Sequence, residues 1–92
     1  MVTVLPFEEE KIKDNIFVRT FSSDVDEMDL IWHTDKENRF IKVLEGNGWQ
    51  FQYDEELPFE MTGLGFPVMK GQIHRVIKGV GPLKIELHKN IL

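Results

Sequence analysis

The chain of 92 residues contains no cysteine. This absence excludes a disulfide framework, a cysteine-ligated zinc site and a thiol nucleophile. No apolar stretch approaches the roughly 18 residues that a membrane span requires. The first residues, MVTVLPFEEEK, also lack the basic segment and apolar run of a signal peptide. We therefore expect one cytoplasmic domain over residues 1–92, with no membrane partner.

Clustered positive charge is missing as well. Lysine and arginine together number 11 against 16 acidic residues, which gives a formal net charge of −5. The basic residues are scattered along the chain and form no stripe. Sequence-independent binding to nucleic acid depends on clustered cations. We therefore expect no nucleic-acid partner.

Most of the sequence favours β-strands. Short runs of β-branched and aromatic residues, separated by turn-forming residues, occupy 15–21, 30–33, 39–44, 49–53, 65–69, 73–78 and 83–88. Only residues 7–13 have helical character. The turn Glu45-Gly46-Asn47-Gly48 is typical of a hairpin, and 79–82 divides the last two runs. Strands of this length, roughly ten residues apart, predict an all-β sandwich or barrel.

Alternation along the strands predicts which side chains face inward. If His33 points into the fold, Asp35 shares its face and Trp32 points outward. Trp32, together with Phe40 and Ile77 on other strands, predicts an apolar outer surface. Two interpretations of that surface stay open: a homodimer interface, or burial beneath residues 15–21.

Two groups of residues stand at regular spacings. In the first, His33-Thr34-Asp35 is followed four residues later by Arg39 and, after six more residues, by Gly46. In the second, five residues separate Gly63 from Met69-Lys70-Gly71, and two more precede His74. The spacing resembles the paired motifs of the cupins, which are small β-barrels. Their first motif has His-x-His, a glutamate and a glycine, and their second has Gly, Pro-x-Gly and a histidine.

The resemblance implies a fold and a site. The fold is an all-β, RmlC-like jelly-roll barrel (a double-stranded β-helix) of short antiparallel strands, formed by residues 15–92 after an extension at 1–14. The site is an internal pocket in which His33, Asp35, Arg39 and His74 converge. In many cupins the corresponding positions hold a divalent metal.

This chain departs from the cupin pattern at two ligand positions. Asp35 replaces the second histidine and Arg39 replaces the glutamate. The remaining set of His33, Asp35 and His74 has the composition of the facial triad of non-haem Fe(II) sites. We expect one divalent ion there, with Fe, Mn, Ni and Zn as candidates. A guanidinium about 5 Å from such an ion would be repelled by roughly 6 to 7 kcal/mol at an effective dielectric constant of 20, unless an anion lies between them.

Two interpretations of the pocket follow. In the first, His33, Asp35 and His74 bind metal while Arg39 binds a small anionic ligand through its planar fork. Tyr53 and Lys78 are further candidates for ligand contacts. In the second, Asp35 pairs with Arg39, the histidines bond to neighbouring groups, and no metal is needed.

Three functions remain open on the sequence alone. The first is a metal-dependent enzyme such as a dioxygenase, isomerase or epimerase. The second is a module that binds an organic acid or a sugar without catalysis. The third is a cupin that has lost its metal and acts through its surface as a homodimer. Fold alone does not separate these, and the sequence assigns no catalytic residue.

Overall fold

The computed structural model describes residues 5–90, whose regular structure is β apart from one short 3-10 helix. In chain order the elements are β1 (Glu8–Lys13), β2 (Ile16–Phe21), the 3-10 helix (Glu27–Asp29), β3 (Arg39–Asn47), β4 (Gln50–Tyr53), β5 (Phe59–Glu60), β6 (Phe66–Val68), β7 (His74–Ile77) and β8 (Val80–Lys89). Within the described part of the chain, no helix is long and apolar enough to cross a membrane.

The strands form two antiparallel sheets. The larger sheet has the order β1-β2-β8-β3-β6, and the smaller one has the order β5-β4-β7. Strand β8 lies at the centre of the larger sheet, where Leu87 pairs with Phe17 on one side and Ile41 on the other. Since residues opposite one another share a face, this row points to the interior together. Leu87 and Ile41 are both buried, which identifies the inner face of the sheet.

The core fills the space between the two sheets. Phe51 of β4 pairs with Val76 of β7, and its ring centroid lies 4.7 Å from that of Phe66 in the larger sheet. Trp49 is fully buried, and its indole N–H donates to the carbonyl of Gly81 at 3.1 Å. The same inner face of β4 and β7 continues from Phe51 to the pair Tyr53–His74. One end of the apolar core therefore borders a histidine.

Residues 7–13 are not helical, contrary to the sequence expectation. Glu8–Lys13 form the edge strand β1, in register with β2 from Glu8–Thr20 to Lys13–Ile16. Pairing with a neighbouring strand outweighs the weak helical propensity of this charged segment. Charged side chains are a common feature of exposed sheet edges.

Three other boundaries differ from expectation. Residues 30–33 contribute only a single bridge, His33–His74, and the side chains of Ile31 and Trp32 are exposed. The turn after Asn47 does not make a hairpin, since β3 and β4 belong to different sheets. Strand β8 begins at Val80, within the segment 79–82 that was predicted to separate two strands. Gly81 has a positive φ of 73°, which glycine permits, and the pairing of β8 with β3 is irregular nearby.

Candidate metal centre

Two backbone hydrogen bonds place His33 beside His74. The amide of His33 donates to the carbonyl of His74, and the amide of His74 donates to that of His33, each at 3.0 Å. Residues paired in this way project their side chains to the same face of the ladder. The two imidazole centroids lie 4.3 Å apart. This bridge joins the loop before β3 to the first residue of β7.

A tight turn before β7 fixes the position of Asp35. The turn is closed by a bond from the Gln72 amide to the Met69 carbonyl at 3.0 Å, and Gly71 adopts a φ of 81°. Glycine suits this position because a side chain is strained at positive φ. The Gly71 amide then donates to the backbone carbonyl of Asp35 at 3.1 Å. The loop that carries Asp35 is thereby held against the turn that precedes His74.

Backbone carbonyls orient both imidazole rings. Nδ1 of His33 lies 3.0 Å from the carbonyl oxygen of Ile31, and Nδ1 of His74 lies 2.8 Å from that of Gln72. Because a carbonyl only accepts, each Nδ1 must carry the proton. In the neutral rings, Nε2 is then the atom with the free lone pair. A carbonyl that fixes the ring in this way is the usual arrangement around histidine metal ligands.

Both Nε2 atoms face the carboxylate of Asp35. Nε2 of His74 lies 3.3 Å from Oδ2, and Nε2 of His33 lies 3.8 Å from Oδ1. One donor atom from each of the three residues falls within a group no wider than 4.8 Å. Neutral imidazole nitrogens and a carboxylate are all acceptors, so their convergence needs a cation or a proton at the centre. The donor set and its orientation fit a divalent metal.

Burial opposes a proton on His74. The imidazole is almost inaccessible to solvent and stacks on Phe51, with 5.3 Å between ring centroids. Burial lowers the pKa of His74 from its usual value of 6.5, although the Gln72 carbonyl and the Asp35 carboxylate act in the opposite direction. The neutral ring is therefore favoured near pH 7. A metal ion bound at Nε2 would satisfy this ring without protonating it.

Arg39 contacts the Asp35 carboxylate at Oδ1, the oxygen that also faces His33. Its Nη1 is 3.2 Å from Oδ1 of Asp35, and its Nη2 is 3.2 Å from a carboxylate oxygen of Glu37. The buried Nε of Arg39 has no hydrogen-bond partner among the described residues. The guanidinium thus meets the site through an anion. Such an intervening charge is what coexistence of Arg39 with a metal requires.

The site opens into a cavity of about 250 Å³. His33, Asp35, Arg39 and His74 line one part of it, and most of the remaining wall is apolar. Arg19 of β2 also lines the cavity, and it was absent from the sequence-based candidates. The inward direction of its side chain could have been predicted from the sequence. Arg19 is two residues from Phe17 and two from Phe21 in the same strand, so the three side chains share one face.

Tyr53 and Lys78 lie outside this cavity wall. The hydroxyl of Tyr53 donates to the backbone carbonyl of Pro67. The ammonium of Lys78 donates to the carbonyl of Val25 at 2.8 Å and holds the loop after β2 against β7. Both polar groups donate to backbone carbonyls. Nothing in the structure tests a role of either residue in ligand binding, which stays a prediction.

Comparison with solved structures identifies the fold. The chain is similar to protein NMB1881 from Neisseria meningitidis, with a TM-score of 0.62 and 14% identity over 97% of this chain and 88% of that one. It is also similar to the Fe(II) form of HppE, with a TM-score of 0.60 and 24% identity over 80% of this chain. Only 41% of the HppE chain is covered by this match.

No family model matches the sequence, and no curated protein matches it significantly. The likeness to known proteins is therefore one of structure. HppE has a cupin fold, and the eight strands described above form antiparallel sheets of the same class. The all-β, cupin-type fold expected from the motif spacing is confirmed.

Proposed function

We propose that the protein is a small RmlC-like cupin that binds one divalent metal ion through His33, Asp35 and His74 and accepts a small anionic ligand beside it. The observation that carries the proposal is the orientation of the histidines. Each Nδ1 is bonded to a carbonyl, so both Nε2 lone pairs face one carboxylate. Three acceptors without a cation would repel one another in a partly buried site.

The carboxylate of Asp35 can serve the metal and Arg39 together. Oδ2 faces His74, whereas Oδ1 lies near both Arg39 and His33. A ligand carboxylate whose second oxygen accepts a hydrogen bond is common in metal sites. Arg39 would then neutralise part of the Asp35 charge through their contact at 3.2 Å and remain available to an anion. The similar structure of HppE is that of its Fe(II) form, which supports the proposal of a bound metal, and Fe, Mn, Ni and Zn are all compatible with the donor set.

Metal content tests this proposal. The purified protein, reconstituted under mild conditions and freed of excess ion, should contain one divalent ion per chain by elemental analysis. The His74→Ala variant should contain none. His88 provides the matched control, because it pairs with Glu86 at 2.6 Å on β8, away from the cavity. Loss of metal from His88→Ala as well, or no metal in the wild type, would argue against the site.

The ion pair between Asp35 and Arg39 supports a second candidate. Their contact at 3.2 Å partly neutralises a carboxylate whose side chain is only 5% exposed. A metal-free cupin could retain the site for this pair alone and act through its surface, as a homodimer. Under that alternative the wild type would take up no metal, whereas removal of Arg39 would create a binding site. The two candidates therefore predict opposite metal contents for the wild type.

A further inference from the structure

The proposed metal site does not explain why the guanidinium of Arg19 is buried in the cavity wall. The Arg19 side chain is only 12% exposed, and it lines the same cavity as Arg39. Nε and Nη2 donate to one oxygen of Glu9, at 3.1 and 2.8 Å. The guanidinium carbon lies 3.8 Å from the centroid of the Phe7 ring. These contacts fix a planar fork at the wall. Arginine has five N–H groups, and those that do not bond to Glu9 have no partner within residues 5–90.

The charges around the cavity become net positive when a divalent metal is bound. The partly buried cations are Arg19, Arg39 and Lys89. The carboxylates paired with them are Glu9, Asp35 and Glu37, and the exposed carboxylate of Asp29 also lines the cavity. With the histidines neutral, the four carboxylates exceed the three cations by one charge, so a divalent ion would leave one positive charge uncompensated. Uncompensated charge in a poorly solvated cavity is costly, and an anion from solution would remove part of that cost.

The rest of the wall selects the kind of anion. Ile41, Phe51, Val76, Ile85 and Leu87 present an apolar surface to the cavity. An apolar cavity of about 150 Å³ is known to hold benzene. A volume of about 250 Å³ therefore has room for an apolar group of ring size and a charged head. A sugar would leave its hydroxyls against the apolar wall.

We infer that the cavity binds a small organic acid with an apolar body, whose carboxylate is recognised by Arg19 together with Arg39, and that this binding depends on the metal. The inference rests on the proposed function, since it names the ligand of the same site. A planar carboxylate matches the guanidinium fork. Arg19 acts here as a binding residue, and Glu9 and Phe7 position it.

Benzoate is a suitable probe, and benzamide is its uncharged counterpart of nearly the same shape. Calorimetric titration of the zinc-loaded protein should show benzoate binding at least tenfold more tightly than benzamide. The metal-free protein should bind benzoate at least tenfold more weakly than the zinc-loaded form. Equal affinity for the two probes, or equal affinity with and without zinc, would overturn the inference. These comparisons use the wild type and do not depend on any variant folding.

Substitutions assign the effect to Arg19. Arg19→Met should weaken benzoate binding at least tenfold without changing zinc content, and Arg19→Lys should restore part of the loss. Arg75→Met is the matched control, because Arg75 lies over Trp32 at 4.5 Å and outside the cavity wall. Unchanged benzoate affinity in a folded Arg19→Met would contradict the role of Arg19.

Zinc content, measured separately, distinguishes failure of this inference from failure of the proposed metal site. A protein that binds zinc but not benzoate would overturn this inference and leave the proposed metal site intact. A protein that takes up neither zinc nor Fe, Mn or Ni would overturn both, because the surplus positive charge would never form.

Discussion

Nε2 of His74 lies 3.3 Å from Oδ2 of Asp35, and the opposite nitrogen of the same ring is committed to the carbonyl of Gln72. The neutral imidazole therefore presents a lone pair to a carboxylate. An arrangement of this kind is favourable only around a cation or an added proton. Burial of His74 disfavours the proton, which supports the proposal of a metal ion at this site.

Substitution of Arg39 separates the metal-binding interpretation from the ion-pair interpretation. Arg39→Met removes the positive charge from Oδ1 of Asp35 but keeps a side chain of similar length. If the carboxylate of Asp35 contacts both the metal and Arg39, the wild type and Arg39→Met should each bind one ion per chain. The affinity of the variant should be equal or higher, because the repulsion between two cations is gone. Calorimetric metal titration measures both quantities, and metal uptake by Arg39→Met alone would favour the ion pair.

The turn at Gly71 should be required for the geometry of the site. Gly71→Ala forces a side chain into a φ of 81°, which costs about 1–2 kcal/mol. The strain should loosen the turn that holds Asp35 and orients His74, and should lower both stability and metal affinity. Gly63→Ala is the control, because its added methyl group would meet no atom within 4 Å. Denaturant unfolding and metal titration of the two variants check this; equal behaviour would show that the turn is tolerant.

The stability of the sheet sandwich should depend on Leu83. Its side chain is fully buried opposite Phe21, in the core of the larger sheet. Leu83→Ala should lower the free energy of unfolding by about 2–5 kcal/mol, since it removes buried methyl groups and leaves a cavity. Leu57→Ala, at a position that is 88% exposed, should change it by less than about 0.5 kcal/mol. Denaturant unfolding measures both, and similar losses would contradict the placement of the core.

Acid should weaken the ion pair between Glu9 and Arg19 and so lower its contribution to stability. Burial raises the pKa of Glu9, but the hydrogen bond and charge of Arg19, with the charge of Lys89, outweigh it and hold the pKa below the usual 4.5. The unfolded chain therefore binds a proton at a higher pH than the folded one does. The stabilisation is present above about pH 4.5 and is lost as the pH falls through the folded pKa. The difference in unfolding free energy between wild type and Glu9→Gln should shrink over that interval, and a constant difference would show that the ion pair contributes nothing.

The sequence predicted the all-β fold and the residues that meet at the site for separable reasons. Short apolar runs divided by glycine turns indicate strands regardless of how the strands pair. The spacing of His33, Asp35 and His74 matches a known motif, and the structure brings these three side chains together. Their role as metal ligands remains a proposal.

Pairing between strands explains what the sequence did not reveal. The edge strand β1 exists because it is aligned on β2, and its own residues favour a strand only weakly. The turn expected to form a hairpin after Asn47 instead connects the two sheets. The local sequence pattern does not distinguish these two kinds of connection. Arg19 was overlooked because a single arginine in an apolar strand shows its partner, Glu9, only after the strands are paired.

Anomalous diffraction at the absorption edge of the bound metal tests the central claim most directly. Crystals of the reconstituted protein should show one strong peak per chain, about 2.0–2.2 Å from Nε2 of His33, Nε2 of His74 and a carboxylate oxygen of Asp35, distances typical of zinc with these ligands. Arg39 should remain in contact with Oδ1 of Asp35. The absence of a peak between these three residues in metal-loaded crystals, or a peak bound by other side chains, would contradict the account.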